Sequence, residues 1–408
     1  MRSSVVIVGS GQGGFQAAAS LREEGYQGRV TLVGEEPGVP YQRPPLSKDF
    51  LAGRIGEQQL ELRPAAFYAD WDIELLHGER VVGIDRQAQA IWLGSGGTRR
   101  YEHLVLATGA TPRMPRLPGV DLPGVFKLRT FADARALRER LQETRRIVII
   151  GAGFIGMEVA VVARELGLEV DVLEFSQKAM ERSVSAETAE FLAAALAHAG
   201  ARIHFSTRAE AFVGSEAGLR AVATHRGDTL AADLVVMGVG VEANDVLARE
   251  AGLQVNSGVV VDDLLVTSDR AISAIGDCAR FPISGLNDLV RLESVQNAVD
   301  QARCVAGRLV GKSSGYQKVP WFWSNQGSNR LQIAGLAHGS DTSVIRGSLE
   351  DGRFSVLRFR CGRLTAVESI NSAADHMAAR KLLAAGVNVN MDQAADTNVR
   401  LASLLTAF

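Results

Sequence analysis

A glycine pattern written twice constrains this chain more than any other feature. Near the start, Val5–Val8 reads as a buried strand, followed by Gly9-Ser10-Gly11-Gln12-Gly13-Gly14. The spacing then predicts a helix over 15–24 with Gly25 as its stop, and a second strand over 30–33 ending at Glu35. The series recurs as strand 147–150, Gly151-Ala152-Gly153-Phe154-Ile155-Gly156, a helix to Leu166, Gly167, strand 170–173 and Glu174. Each part has a physical reason. Gly9 and Gly151 permit a tight turn, Gly11 and Gly153 let a pyrophosphate approach the backbone, and Gly14 and Gly156 let the helix pack close to its strand. Exposed N–H groups at the helix start then hold phosphate. Glu35 lies 21 residues after Gly14, and Glu174 lies 18 after Gly156, the spacing at which a carboxylate accepts from ribose hydroxyls. One copy is weak evidence, since any glycine-rich turn between strand and helix looks alike. Two copies in matched context indicate two dinucleotide sites.

Bulk properties exclude several alternatives. A chain of 408 residues is long for one core and suggests two or three domains. The net charge of −2 argues against a general nucleic-acid binder. No apolar run approaches the ~20 residues of a membrane helix, and the run from Met1 into Val5 has no signal-peptide character. A soluble cytoplasmic protein is expected, as a monomer or weak dimer. Cys278, Cys304 and Cys361 lie far apart, and the histidines show no ligand spacing, so neither a disulfide framework nor a metal site is expected.

Further stretches sharpen the reading. Leu104–Ala110 is a buried strand ending in a small-residue turn that includes Thr108, and 234–240, ending in Gly240, is its counterpart. Ala274-Ile275-Gly276-Asp277 is another apolar strand ending in Gly-Asp. From Val295 to Leu309, apolar residues at 295, 298, 299, 302, 305, 306 and 309 form a helical stripe. These segments resemble the glutathione-reductase-type flavoprotein superfamily. The most specific stretch, Pro40-Tyr41-Gln42-Arg43-Pro44-Pro45-Leu46-Ser47-Lys48, is similar to the ferredoxin reductases of bacterial oxygenase systems, the putidaredoxin reductase type. It is shared with rubredoxin reductases and apoptosis-inducing factor. Val319-Pro320-Trp321-Phe322-Trp323-Ser324-Asn325-Gln326 resembles the same branch.

The resemblance implies an α/β fold with two Rossmann-like dinucleotide-binding domains plus a C-terminal α+β domain built on an antiparallel sheet. FAD would occupy a discontinuous domain of residues 1–110 and 245–320, NAD residues 111–244, and residues 321–408 would cover the flavin edge. Alternating runs at 331–336, 342–346, 354–359 and 364–370 suggest that sheet, with helices near 374–385 and 396–405. It also implies roles. For FAD these fall on Gly9, Gly11, Gly14, Glu35, Arg43, Lys48, Thr108, Arg113, Asp277, Val295 and Trp323. For NAD they fall on Gly151, Gly153, Phe154, Ile155, Gly156, Glu158, Glu174 and Gly240. Asp277 would bind the ribityl chain, and Val295 would present its backbone N–H to the flavin, with Glu293, Ser294 and Gln296 nearby. Lys48 and Glu158 would form an ion pair, Glu158 near the nicotinamide carboxamide. Phe154 and Ile155 sit where related enzymes place a side chain over the flavin, with core packing as the alternative. Trp323 would stack beside the isoalloxazine, and Lys48, Glu158 and Trp323 form the expected catalytic group.

Where disulfide reductases of this superfamily carry a cysteine pair, Leu46-Ser47-Lys48 holds no thiol. The expected activity is therefore transfer of electrons from NADH through FAD, singly, to a [2Fe-2S] ferredoxin that feeds a haem monooxygenase or ring-hydroxylating dioxygenase. Alternatives are a rubredoxin or monodehydroascorbate-type reductase, or a redox-responsive interaction protein like apoptosis-inducing factor. An acidic ferredoxin would need a basic patch, for which Arg291, Lys312, Lys318 and Arg330 are candidates. A carboxylate at Glu174 favours NADH over NADPH.

Overall fold

The computed structural model describes residues 4–283, 286, 288–312 and 314–405, so Met1, where the leader reading begins, lies outside them. They form two compact units. The first comprises residues up to Arg43, Glu57–Thr111 and Val241–Lys318; the second comprises Pro44–Gly56, Pro112–Gly240 and the chain from Val319 onward.

The repeat read from glycines extends to whole sheets. In the first unit five parallel strands run in the order Ile272–Ala274, His103–Leu106, Ser4–Val8, Arg29–Gly34, Ile73–His77. In the second the order is Val125–Lys127, Leu234–Met237, Arg146–Ile150, Glu169–Leu173, Arg202–His204, again parallel throughout. Only the outermost strand beyond Leu104 or Leu234 differs in origin: late sequence supplies it in the first unit, early sequence in the second. Parallel strands covered on both faces must be apolar continuously, which is why Val5–Val8, Ile147–Ile150 and Leu234–Met237 read as unbroken hydrophobic runs.

Each unit also carries a three-stranded antiparallel sheet that the sequence reading did not anticipate, Val81–Asp85 with Ala90–Leu93 and Thr98–Arg100, and Ala209–Ser215 with Gly218–Thr224 and Thr229–Ala231. Their outward residues are mixed and their strands bulged, so period-two patterning is faint. The first helix spans Gln12–Glu23 and starts inside the glycine run, earlier than expected, because Phe15 N–H already bonds the Gly11 carbonyl at 2.9 Å. The Val295–Leu309 helix has the predicted bounds.

In the second unit the C-terminal part is a five-stranded antiparallel sheet ordered Trp321–Gln326, Asn329–Gly335, Arg363–Ile370, Arg353–Arg360, Thr342–Ser348. The helix Ala373–Ala385 packs on it. A helix over 396–405 is not formed as expected. A short α-helix, Met391–Ala395, and a 3-10 turn, Leu401–Leu405, flank irregular chain whose carbonyls at Asp396 and Val399 accept from the buried Arg346 guanidinium at 2.5 and 2.9 Å. Glu368 of this sheet is fully buried and caps the start of the Ala186–His198 helix, accepting from the Ser185 N–H at 2.9 Å and its hydroxyl at 2.7 Å. That cap joins the sheet to the second nucleotide-type fold within one unit. No described helix is long and apolar enough to cross a membrane.

A buried histidine sits at the lower end of the first sheet. His103 Nε2 lies 3.0 Å from Ser273 Oγ, and Arg308 donates to the same hydroxyl at 2.7 Å. Burial, then the Arg308 charge, push the His103 pKa down to about 3. The unfolded chain therefore takes up a proton that the folded one refuses, and stability falls as pH drops from about 6.5 toward 3. The predicted outcome for His103→Gln is a loss of unfolding free energy between pH 7 and pH 5 that is smaller by about 2 kcal/mol than in wild type, read from urea titrations at the two pH values.

Candidate functional site: two glycine turns and a buried carboxylate

The two glycine turns superimpose in their bonding. Gly9 N–H donates to Val33 O at 2.8 Å, and Gly151 N–H to Leu173 O at 2.7 Å. Gly9 and Gly151 have φ of +108° and +100°, a region costly for any residue with a side chain. A Cβ at Gly14 would overlap the Gly9 carbonyl oxygen, and one at Gly156 the Gly151 carbonyl oxygen. These glycines close the helix onto the strand. The middle glycine behaves differently. A Cβ at Gly11 would meet nothing within 4 Å, and at Gly153 only Gly238 O, at 3.8 Å. Neither helix start carries a side-chain cap, so backbone N–H groups are left facing that open ground. Space over the middle glycine with uncapped donors beneath fits a pyrophosphate in both turns.

Each neighbouring candidate has its own local partners. Glu174 points back into the second turn, accepting from Ala152 N–H and Ser176 N–H, both at 2.7 Å, which leaves lone pairs for ribose hydroxyls. Glu35 is 68% exposed, 3.5 Å from Arg80. Its neighbour Glu36 holds Arg43 at 2.5 Å and accepts from Tyr41 Oη at 2.7 Å. Thr108 is locked to Asn244 by two bonds, Thr108 Oγ1 to Asn244 O at 2.7 Å and Asn244 Nδ2 to Thr108 O at 2.8 Å. Asp277 lies in the 3-10 turn Gly276–Cys278, and its carbonyl accepts from Arg291 at 3.1 Å. Val295 opens its helix behind a Ser294 cap. Arg113 is exposed, its N–H bonded to Gly240 O at 2.9 Å. Cys278 is fully buried, its thiol pKa raised by burial.

In the second unit two distant segments converge on Glu158, which is 3% exposed on the Phe154–Glu165 helix. Its Oε2 accepts from Lys48 Nζ at 2.6 Å and Ser47 Oγ at 2.5 Å; its Oε1 accepts from Ser324 Oγ at 2.6 Å. The expected Lys48–Glu158 ion pair is formed. Lys48 arrives there because the Pro44–Ser47 3-10 turn, stiffened by two prolines, leads into a loop anchored by buried Phe50 and Leu51, with the Phe50 ring tilted against Phe131 at 5.4 Å and an Arg54–Glu165 ion pair behind it.

Strand alternation sorts the C-terminal aromatics. Phe322, Ser324 and Gln326 share one face, where Phe322 meets Phe154 at 4.5 Å and Gln326 Nε2 meets Met180 Sδ at 3.7 Å. Trp321 and Trp323 take the other face, their rings 5.5 Å apart, with Trp321 against His376 and under Arg380. Trp323 is thus not gathered with Glu158 and Lys48. Ile155 is 42% exposed, so core packing does not explain it, whereas Phe154 packs on Phe322. Of the basic docking candidates, Lys312 is paired with Glu24 at 2.5 Å and Arg291 with Glu293 at 2.8 Å. Sequence reasoning missed Ser47 and Ser324. Their signal was position alone, each adjoining a residue singled out for another reason.

Residues 3–302 match the model of the pyridine nucleotide-disulphide oxidoreductases, and residues 321–405 that of the reductase C-terminal domain. The chain belongs to the pyridine nucleotide-disulphide oxidoreductase family. Rhodocoxin reductase of Rhodococcus erythropolis is 49% identical, over 98% of this chain and 93% of that protein. Among solved structures, the ferredoxin reductase for the CYP199A2 system of Rhodopseudomonas palustris is 45% identical, covering 98% of this chain and 99% of that one, with a TM-score of 0.96. The reductase in the covalent putidaredoxin reductase–putidaredoxin complex is 37% identical, covering 99% and 98%, also with a TM-score of 0.96. The α/β class with an antiparallel C-terminal sheet, and the assignment as an oxidoreductase using FAD and NAD(H), are those of this family.

The glycine geometry separates two outcomes for this oxidoreductase. Gly11→Ala has room for its methyl group and should fold, keeping its apoprotein melting temperature within a few degrees while losing most of its FAD on purification. Gly14→Ala should instead give a destabilised or insoluble chain, because its methyl group strikes backbone. Equal flavin content in Gly11→Ala and wild type would remove the phosphate role.

Proposed function

We propose that this oxidoreductase oxidises NADH and delivers the electrons to a small [2Fe-2S] ferredoxin serving an oxygenase. Bound FAD would supply the conversion between a two-electron donor and a one-electron acceptor. Residues 1–110 and 245–320 hold FAD in this reading, with Gly9, Gly11, Gly14 and Asp277 among its contacts. Residues 111–244 hold NADH through Gly151, Gly153, Gly156 and Glu174, and residues 321–408 form the third domain. Lys48 and Glu158 form the catalytic pair, and Trp323, on the other face of its strand, is a third candidate that stands apart from them.

The observation that carries the reading is the thiol-free meeting of Leu46-Ser47-Lys48 with the Glu158 helix. Where a disulfide reductase needs a sulfur relay, this chain offers a hydroxyl and an ammonium to a buried carboxylate. Of the described cysteines, Cys278 is sealed in the first unit's core, while Cys304 and Cys361 are free and lie in other elements. Electrons therefore leave to an external acceptor. The relatives for rhodocoxin, putidaredoxin and CYP199A2 systems support a ferredoxin in that role. The free thiols suit a reducing cytoplasmic setting.

The ion pair determines what Lys48 does for the site: it neutralises Glu158 and fixes both side chains, and its removal strands a carboxylate out of water. Anaerobic mixing with NADH should bleach the flavin, and one NADH should then reduce two equivalents of [2Fe-2S] ferredoxin. Bleaching without ferredoxin reduction, or turnover of a disulfide substrate instead, would overturn the proposal. Lys48→Ala should slow bleaching at least about tenfold. Glu174 repels a 2′-phosphate, so kcat/KM for NADH should exceed that for NADPH by about tenfold or more; parity between the two would remove that role.

A further inference from the structure

The Val295–Leu309 helix of the first unit buries two amides in an otherwise apolar face. Asn297 is 2% exposed and Gln301, one turn later, 0%. The seam around them is made of small groups. A Cβ on Gly13 of the first helix would meet Ala298 Cβ at 3.6 Å, and one on Gly276 would meet it at 3.4 Å. Methionine, an unbranched side chain of similar size, would fill the place of Gln301 with no N–H to satisfy. The amide itself is only half satisfied. Its Oε1 accepts from the Gly276 N–H at 2.7 Å, whereas its Nε2 has no acceptor among the described residues, which is unfavourable for any buried donor. The single bond that Gln301 makes goes to the backbone of the Gly276–Cys278 turn, which carries Asp277 and enters with Gly276 at φ +72°. The second amide fixes the start of the same helix: Asn297 Oδ1 accepts from Tyr316 Oη at 3.0 Å, and its Nδ2 donates to Leu292 O at 3.3 Å. The Ser294 hydroxyl caps the Asn297 N–H at 3.4 Å, so the N–H of Val295 lies outside that bond.

We propose that Gln301 is a positioning residue for the flavin, which through the Gly276 N–H sets the Asp277 turn against the helix that begins at Val295. This rests on the reading of the first unit as the FAD site and adds to it. The contacts which that reading gives to Asp277 and Val295 come from two separate elements, and one buried side chain holds those elements in register. Without the acceptor, the Gly276 N–H is stranded and the turn loses its hydrogen bond to the helix. The Gln301 side chain bonds nothing in the Gly9–Gly14 turn. The phosphate end of the dinucleotide is then still held, while the flavin end is held less well. A hydrogen bond lost from a buried backbone donor corresponds to about tenfold in affinity.

The test strips the full chain of flavin, titrates the apoprotein with FAD, and measures ADP as a competitor of that uptake. Competition reads the first glycine turn alone, whatever ADP does at the second. Wild type should take up FAD, and ADP should displace it. Gln301→Met should weaken FAD binding about tenfold while the inhibition constant for ADP stays within about twofold of wild type. The midpoint potential of its bound flavin should move to more negative values, because the start of the helix is no longer held against the negative charge of the reduced form. Gln301→Glu keeps an acceptor for the Gly276 N–H and should bring FAD affinity back to within about threefold of wild type. Wild-type apoprotein that takes up no FAD, or takes it up without competition from ADP, would overturn the reading of the first unit as the FAD site. An unchanged FAD affinity or potential in Gln301→Met, an equal loss of FAD and ADP, or no recovery in Gln301→Glu would overturn only the role given to Gln301.

Discussion

A carboxylate taken out of water has to be surrounded by donors, or it costs several kcal/mol. Glu158 meets that requirement with groups from residues 47, 48 and 324, which are separated from it by more than a hundred positions in sequence on either side. The loop after Arg43 leaves its flanking sequence to pack in the second unit, and the first strand of the C-terminal sheet lies against the Phe154–Glu165 helix. Both are held to the start of one helix, the helix whose first turn also carries the uncapped N–H groups. Uncapped backbone donors and an oriented carboxylate are thereby parts of one helix.

Steric constraint does for the turns what charge does for Glu158. The carbonyls of Gly9 and Gly151 lie where a Cβ of Gly14 or Gly156 would be, so each helix begins as close to its sheet as backbone allows. The ground over Gly11 and Gly153 then stays open because nothing in the protein requires it. Two chains of contact, one closed and one open, alternate along six residues.

This alternation is why so much was legible. Glycines with fixed roles, continuous apolar strands and the 295–309 stripe are local signals, and they gave the two nucleotide-type folds, the Val295–Leu309 helix and most strands of the last sheet. The small antiparallel sheets were missed because half-exposed, bulged strands carry little period-two contrast. The 396–405 segment was misread because its backbone is satisfied by the Arg346 side chain from fifty residues earlier, which local propensity does not register. Ser47 and Ser324 were illegible for a related reason. A serine announces nothing in sequence, and its hydroxyl acquired meaning only from a carboxylate brought to it by tertiary folding. Glu36 and Asn244, which hold Arg43 and Thr108, belong to the same class.

Gln326 pairs with Asn329, so only Gly327, at φ +62°, and Ser328 join the first two strands of the C-terminal sheet. Insertion or loss of one residue there would leave a perfectly good hairpin but turn its side chains over. An indole or an amide would then stand where the Ser324 hydroxyl now meets Glu158. The length of a surface bend, ordinarily the freest quantity in a protein, is here tied to the chemistry of a buried acid.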